Sequence, residues 1–239
     1  MKIPFSTIAR RACGLGAFCL AALLLIAPVM AAPPPSAFGV WDRSDTFDPG
    51  DYPFIKGFSL NLRWAEIEAQ PEKYDWTALD RALERAQRYK MFLYLSFEAG
   101  PESPDWIYTR GVPRVMTEGE KEKHTGKWNG YPFYLSPAYR TFHQRVITEW
   151  AKHIRTFPRE TQERIAFIQI KTGCTGDETP YKGTAIEPRY DLPRSAPAWR
   201  DFRLATFDLF VTLFQEDTAH PKIDLLFNAA LTASGANTG

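Results

Sequence analysis

Short apolar runs alternate along this chain with longer amphipathic ones, and the alternation defines its elements. Phe38 to Trp41, Ile55 to Trp64, Met91 to Phe97, Ile165 to Ile170 and Ile223 to Phe227 read as five strands. The runs at Met91 and Ile165 are nearly continuous in apolar residues, as parallel strands covered on both faces are. Between them the period lengthens to that of a helix. Thr77 is placed as an N-cap, with Asp80 three residues on and an apolar stripe of Ala78, Leu79, Ala82, Leu83 and Ala86. Ser136-Pro137 opens a second helix, proline being suited to the first helical position. Tyr139, Phe142, Val146, Ile147, Trp150 and Ile154 share its buried face. A third runs from about Ala196 to Glu216, with Trp199, Phe202, Leu209, Phe210 and Leu213 turned inward. Strands alternating with helices predict an α/β domain built on a parallel sheet.

The start of the chain has a different pattern. Lys2, Arg10 and Arg11 precede an uncharged apolar run from Cys13 to Met30, and Val29-Met30-Ala31 has the small residues of a cleavage site. Residues 1–31 are therefore expected to be a signal peptide that sends the chain to the periplasm or the outside, with an uncleaved anchor as the alternative. Residues 32–37 follow as a proline-rich linker, and 38–239 form the domain. Cleavage leaves 26 basic and 28 acidic residues, since the leader holds three of the 29 basic ones and none of the 28 acidic. A balance so near neutral, with no basic cluster, argues against nucleic acid and against a stable membrane association after cleavage. Only Cys174 would remain of three cysteines, so no internal disulfide is available. The four histidines, His124, His143, His153 and His220, lack metal-ligand spacing, and no glycine-rich phosphate loop is present. No metal or organic cofactor is expected.

One segment is more specific. Asn61-Leu62-Arg63-Trp64-Ala65-Glu66-Ile67-Glu68 ends a strand on an Arg-Trp pair, and Tyr74-Asp75-Trp76-Thr77-Ala78-Leu79-Asp80 then enters a helix. This unit resembles the early strand-loop-helix segment of the barrel-fold beta-galactosidases of glycoside hydrolase family 42. Ser103-Pro104-Asp105-Trp106-Ile107 is similar to a Pro-Pro-x-Trp element of that family. The resemblance runs from about Phe54 to Gly183 and implies a (β/α)8 TIM-barrel type of fold, incomplete here, with about five of eight strand-helix units. A full barrel usually takes about 250 residues. A smaller open sheet, complete in itself, is the alternative.

The resemblance also says where chemistry should lie. Glycoside hydrolysis needs two carboxyl groups around the scissile bond, and barrels carry such groups at the C-terminal ends of strands. Arg63 ends the second strand, where it would bind a sugar hydroxyl or a catalytic carboxylate, or form an ion pair. Trp64 is expected in the cleft wall, and Glu66 and Glu68 on a solvated loop. Glu98 ends the third strand as a binding carboxylate, and Trp106 beyond it would stack a sugar or anchor its loop. Gln169 and Lys171 lie at the end of the fourth. The family's Gln-x-x-Asn-Glu motif, aligned on Gln169, puts its Asn-Glu pair on Thr172-Gly173, so the usual acid is absent. Asp177 and Glu178 follow in Gly173-Cys174-Thr175-Gly176-Asp177-Glu178. They are the replacement acid, or simply an acidic turn. The second carboxylate of the family comes from strand seven, beyond this chain. What the resemblance implies is hydrolysis of O-glycosidic bonds of an oligo- or polysaccharide, by a chain whose leader is expected to export it; a non-catalytic carbohydrate-binding barrel or a truncated fragment is the alternative.

Overall fold

The chain divides into two units, Met1–Pro35 and Ser36–Gly239. The computed structural model describes residues 37–44, 46–118, 130–174, 179–193 and 196–227, all in the second. The strands are β1 (Val40–Asp42), β2 (Ile55–Arg63), β3 (Phe92–Glu98), β4 (Arg114–Val115), β5 (Tyr131–Pro132), β6 (Ile165–Ile170) and β7 (Asp224–Phe227). The helices are α1 (Trp64–Ile67), α2 (Thr77–Tyr89), α3 (Trp106–Thr109), α4 (Pro137–Arg155), α5 (Arg159–Gln162) and α6 (Pro197–Phe214). Five strands form one parallel sheet in the order β1-β2-β3-β6-β7, and β4 and β5 make a separate antiparallel pair. The long helices α2, α4 and α6 lie between successive strands of the large sheet, the arrangement expected from the alternation.

Side-chain alternation sorts the sheet into two faces. Phe58, Leu62, Leu93, Leu95, Phe97, Ile168 and Ile170 are buried toward the helices. Phe97 meets Trp150 of α4, with ring centroids 5.4 Å apart, and Phe207 of α6 meets Phe227 of β7 at 4.6 Å. The buried stripe of α2 is Leu79, Ala82, Leu83 and Ala86; Ala78, expected in it, is exposed in the first turn. Its cap differs. The Asp75 carboxylate accepts the Thr77 N–H at 2.9 Å, and hydrogen bonding by the Thr77 side chain, with this backbone contact, holds Asp75 below the usual carboxylate range. The helix begins at Thr77 rather than after it.

The opposite face carries Gly57, Ser59, Asn61 and Arg63 on β2, then Phe92, Tyr94, Ser96 and Glu98 on β3. Register pairs Ser59 with Tyr94, Asn61 with Ser96, and Arg63 with Glu98, and on the far side Tyr94 with Phe167 and Ser96 with Gln169. This face is concave. In a flat sheet three strand spacings, about 14 Å, would separate β1 from β6. Trp41 of β1 nevertheless reaches Phe167 of β6 at 5.5 Å between ring centroids. Gly57 makes the room, because a Cβ there would stand 2.5 Å from the Trp41 ring and 2.7 Å from the Phe92 carbonyl oxygen. The curvature is that of a barrel wall, open among the described residues at β1 and at β7.

The long 109–135 connection holds the antiparallel pair that apolar periodicity does not announce. It is tied to the segment after β6 by backbone bonds: Glu118 N–H donates to Thr184 O at 3.0 Å, and Ile186 N–H to Met116 O at 2.9 Å. Gly183 directly precedes Thr184 at φ +83°, where a Cβ would come within 2.5 Å of the Glu118 oxygen.

Candidate carbohydrate cleft

The concave face and the strand ends enclose a cleft of about 320 Å³, lined by Trp41, Asp42, Arg43, Ser59, Asn61, Tyr94, Ser96, Glu98, Phe167 and Lys171. Its floor is aromatic: Tyr94 stacks on Phe167 at 4.8 Å, and Trp41 lies against the same ring. Its upper wall is polar and bonded across three strands. Ser96 Oγ donates to Asn61 Oδ1 at 2.7 Å, and Lys171 Nζ donates to the same oxygen at 3.2 Å. The Lys171 ammonium also donates to Glu98 Oε1 at 2.7 Å. One row deeper the Tyr94 hydroxyl donates to Gln169 Oε1. Burial raises the Tyr94 phenol above its ordinary value, the Glu98 charge adding to the effect against a hydrogen bond with Ser96, so the donor stays protonated.

Glu98, Gln169 and Lys171 are thus brought together. Arg63 stands beside Glu98 in register, half-exposed, and pairs with Glu66 at 3.3 Å. Such an exposed pair is worth only a fraction of a kcal/mol, and Arg63 lines a separate groove with Glu66, Asp75 and Arg81 rather than the cleft. Trp64 is placed elsewhere. It has no exposed surface and packs among Trp106, Tyr139 and His143, so it is a core residue and takes no part in the cleft wall. Trp106 is half-buried against Trp64 and Phe142, and its indole N–H donates to the Glu68 carbonyl oxygen at 2.8 Å. This is the anchoring role rather than an open stacking platform.

Glu68 corrects the expectation of a solvated loop. It is wholly buried, accepts the Trp64 indole N–H at 2.8 Å and the Glu72 N–H at 2.7 Å, and pairs with Arg145 of α4. This hub fixes the loops after β2 and β3 to α4, behind the cleft rim.

Asp177 and Glu178, the expected acids, lie outside the described residues. The chain leaves the sheet after Ile170. Cys174 N–H donates to Thr179 O at 2.9 Å, which closes the base of that loop. Gly100 lets the backbone after β3 approach it, since a Cβ there would lie 3.1 Å from the Gly173 oxygen. Among the described residues no group of histidine, cysteine or acidic side chains is arranged to hold a metal ion. Trp41, Asn61, Tyr94, Ser96 and Phe167 were not anticipated. Their signal was the period-2 placement of Ser59-Asn61 and of Tyr94-Ser96-Glu98 on one face.

Residues 58–171 match the family model described as beta-galactosidase, glycoside hydrolase family 42. No curated protein matches the chain in sequence. Among solved structures, the fold is similar to the beta-galactosidase of the psychrophilic Marinomonas ef1, with 17% identity and a TM-score of 0.52 over 80% of this chain and 37% of that one. It is also similar to the polyextremophilic beta-galactosidase of the Antarctic haloarchaeon Halorubrum lacusprofundi, at 15% identity and TM-score 0.46, covering 79% and 36% of the two chains. The chain therefore spans little more than a third of the length of these enzymes.

Proposed function

For a chain related to the family-42 glycoside hydrolases through residues 58–171, we propose hydrolysis of O-glycosidic bonds in an oligo- or polysaccharide at the cleft over the ends of β1, β2, β3 and β6. The Asn61–Lys171–Glu98 row above the Trp41, Tyr94 and Phe167 rings is the observation that carries the reading. A pyranose presents C–H groups on its faces and hydroxyls at its edges. The aromatic floor suits the first. The alternating donors and acceptors of the row suit the second, each hydroxyl both giving and taking a hydrogen bond.

The leaving oxygen needs a proton, and this role goes to Asp177 or Glu178, with Asp177 preferred as the first carboxylate after Gly176. Replacing each by its amide tests the assignment on two substrates, a natural glycan and an activated aryl glycoside. The true donor's variant loses about 10²–10⁴-fold on the natural glycan and far less on the aryl glycoside, whose leaving group needs little protonation. Unchanged glycan hydrolysis by both variants would remove the loop from the mechanism. A parent chain that retains the glycan without cleaving it is a binder. Export completes the proposal: N-terminal sequencing of secreted or periplasmic material should begin near Ala32, and an intact Met1 chain in the cytosol contradicts it.

A further inference from the structure

β2 is longer than the edge strand beside it. Register joins Val40 to Ile55, Trp41 to Gly57 and Asp42 to Phe58, and there β1 stops, whereas β3 accompanies β2 as far as Arg63. Among the described residues, Ser59 to Arg63 therefore have a strand on one side only, and the backbone groups of this stretch that point away from β3 have no ladder to join. A groove of about 320 Å³ lies between the upper half of β2 and the start of α2, with Asn61, Arg63, Glu66, Asp75 and Arg81 along it. Asn61 also lines the cleft, so one residue borders both cavities. Its side-chain oxygen is taken up in the cleft by Ser96 and Lys171, and its side-chain N–H groups donate to nothing among the described residues.

We propose that this groove is a second sugar subsite, and that the ligand of the cleft is a chain of three or more units that passes Asn61 and crosses β2 into it. This rests on the functional reading above and adds to it the length of the substrate and the path it takes. Two cations, Arg63 and Arg81, share the groove with two carboxylates, Glu66 and Asp75, so these four side chains carry no net charge. A sugar hydroxyl both gives and takes a hydrogen bond and suits such a mixture, whereas an acidic or basic peptide meets as much repulsion as attraction. The groove side chains are loosely held. Arg81 is exposed and makes no hydrogen bond or ion pair among the described residues, and Arg63 and Glu66 form an exposed pair at 3.3 Å. Turning them toward a ligand gives up little, since an exposed pair contributes under about 1 kcal/mol. Leu60 and Ala78 supply the apolar contact that the C–H face of a ring needs. Each cavity alone is at the small end of the range for a bound ligand; joined at Asn61, the two make room for a chain.

Calorimetric titration of the full chain with the di-, tri- and tetrasaccharides of β-1,4-linked galactan, xylan, mannan and cellulose tests this path. In a series that binds, affinity should rise about tenfold from disaccharide to tetrasaccharide, the value of one or two added hydrogen bonds to charged groups. Arg81→Met and Glu66→Gln should each remove most of that rise and leave disaccharide binding where it was, whereas Lys171→Met should weaken every length alike. Both groove residues are exposed, so these variants fold as the parent does. A disaccharide and a tetrasaccharide bound equally well by the parent, or a rise that both variants keep, overturns the groove and leaves the cleft standing. An uncharged threonine–valine hexapeptide that binds in place of the longer sugars, protecting the Ser59 to Arg63 amides from hydrogen exchange, overturns it too and makes the stretch a strand-pairing edge. A parent that binds no sugar of any length defeats the functional reading along with it.

Discussion

Deleting the Glu68 carboxylate strands the Trp64 indole N–H and leaves the Arg145 guanidinium without its buried partner. Breaking such a pair from one side costs about 3 kcal/mol, so Glu68→Ala should lower the urea-unfolding free energy by about that much. A loss under about 1 kcal/mol, the value of a surface pair, would return Glu68 to the solvated loop its neighbours suggest. The sequence around Glu66, Glu68 and Glu72 looks like an exposed acidic stretch because the residue that decides otherwise, Arg145, is on α4, 77 residues away. His143 shows the same dependence on distant packing. It is buried against Tyr139, Trp64 and Phe202, and burial lowers its pKa from 6.5 to about 4. The unfolded chain takes up this proton first as pH falls. The contribution is complete above about pH 6.5, declines from there, and is lost once pH passes below about 4. Urea unfolding at pH 7 and at pH 4.5 should show this decline, and His143→Phe should reduce it. An equal decline in the variant would assign the acid sensitivity to other groups.

At the level of elements, the strands and long helices were readable from period alone. The five runs became β1, β2, β3, β6 and β7 within a residue or two at each end, and the stripes of α2, α4 and α6 face the core. Short elements were not readable. β4 and β5 have two residues each, too few for any period, and exist because Val115 and Tyr131 pair across a connection. The concave face was legible only in part. Tyr94, Ser96 and Glu98 alternate visibly, but the closure of Trp41 onto Phe167 depends on the curvature and on Gly57. Gly57→Ala tests that point. The added methyl meets a ring and a backbone oxygen that has little freedom to move, so overpacking should cost about 1–3 kcal/mol and change the Trp41 fluorescence. A variant as stable as the parent, with unchanged fluorescence, would mean that Trp41 does not lie over Gly57.

For the whole molecule, the sheet among the described residues has free edges at β1 and β7, while a TIM barrel closes with eight strands. Val40 on β1, Leu226 on β7, and Leu204 and Val211 on α6 are exposed apolar residues. Open edges of this kind promote association. Residues 32–239 should therefore run as oligomers or aggregates in light scattering coupled to gel filtration; a monomer with one cooperative unfolding transition would show the open sheet to be self-sufficient. The strand-end rule singles out Glu98, Gln169 and Lys171, and the structure brings these three side chains onto one wall. The site was not legible at Trp64, because one residue past a strand the chain had already turned into α1 and carried the ring into the core. The proposed sugar-binding cleft has Lys171 and Glu98 at its centre. Calorimetric titration of the full chain with a panel of neutral oligosaccharides measures that directly: the account predicts saturable binding of at least one, weakened about tenfold or more in Lys171→Met and in Glu98→Gln, as loss of a charge-assisted hydrogen bond implies. No binding by the parent, or binding that both variants retain in full, contradicts it.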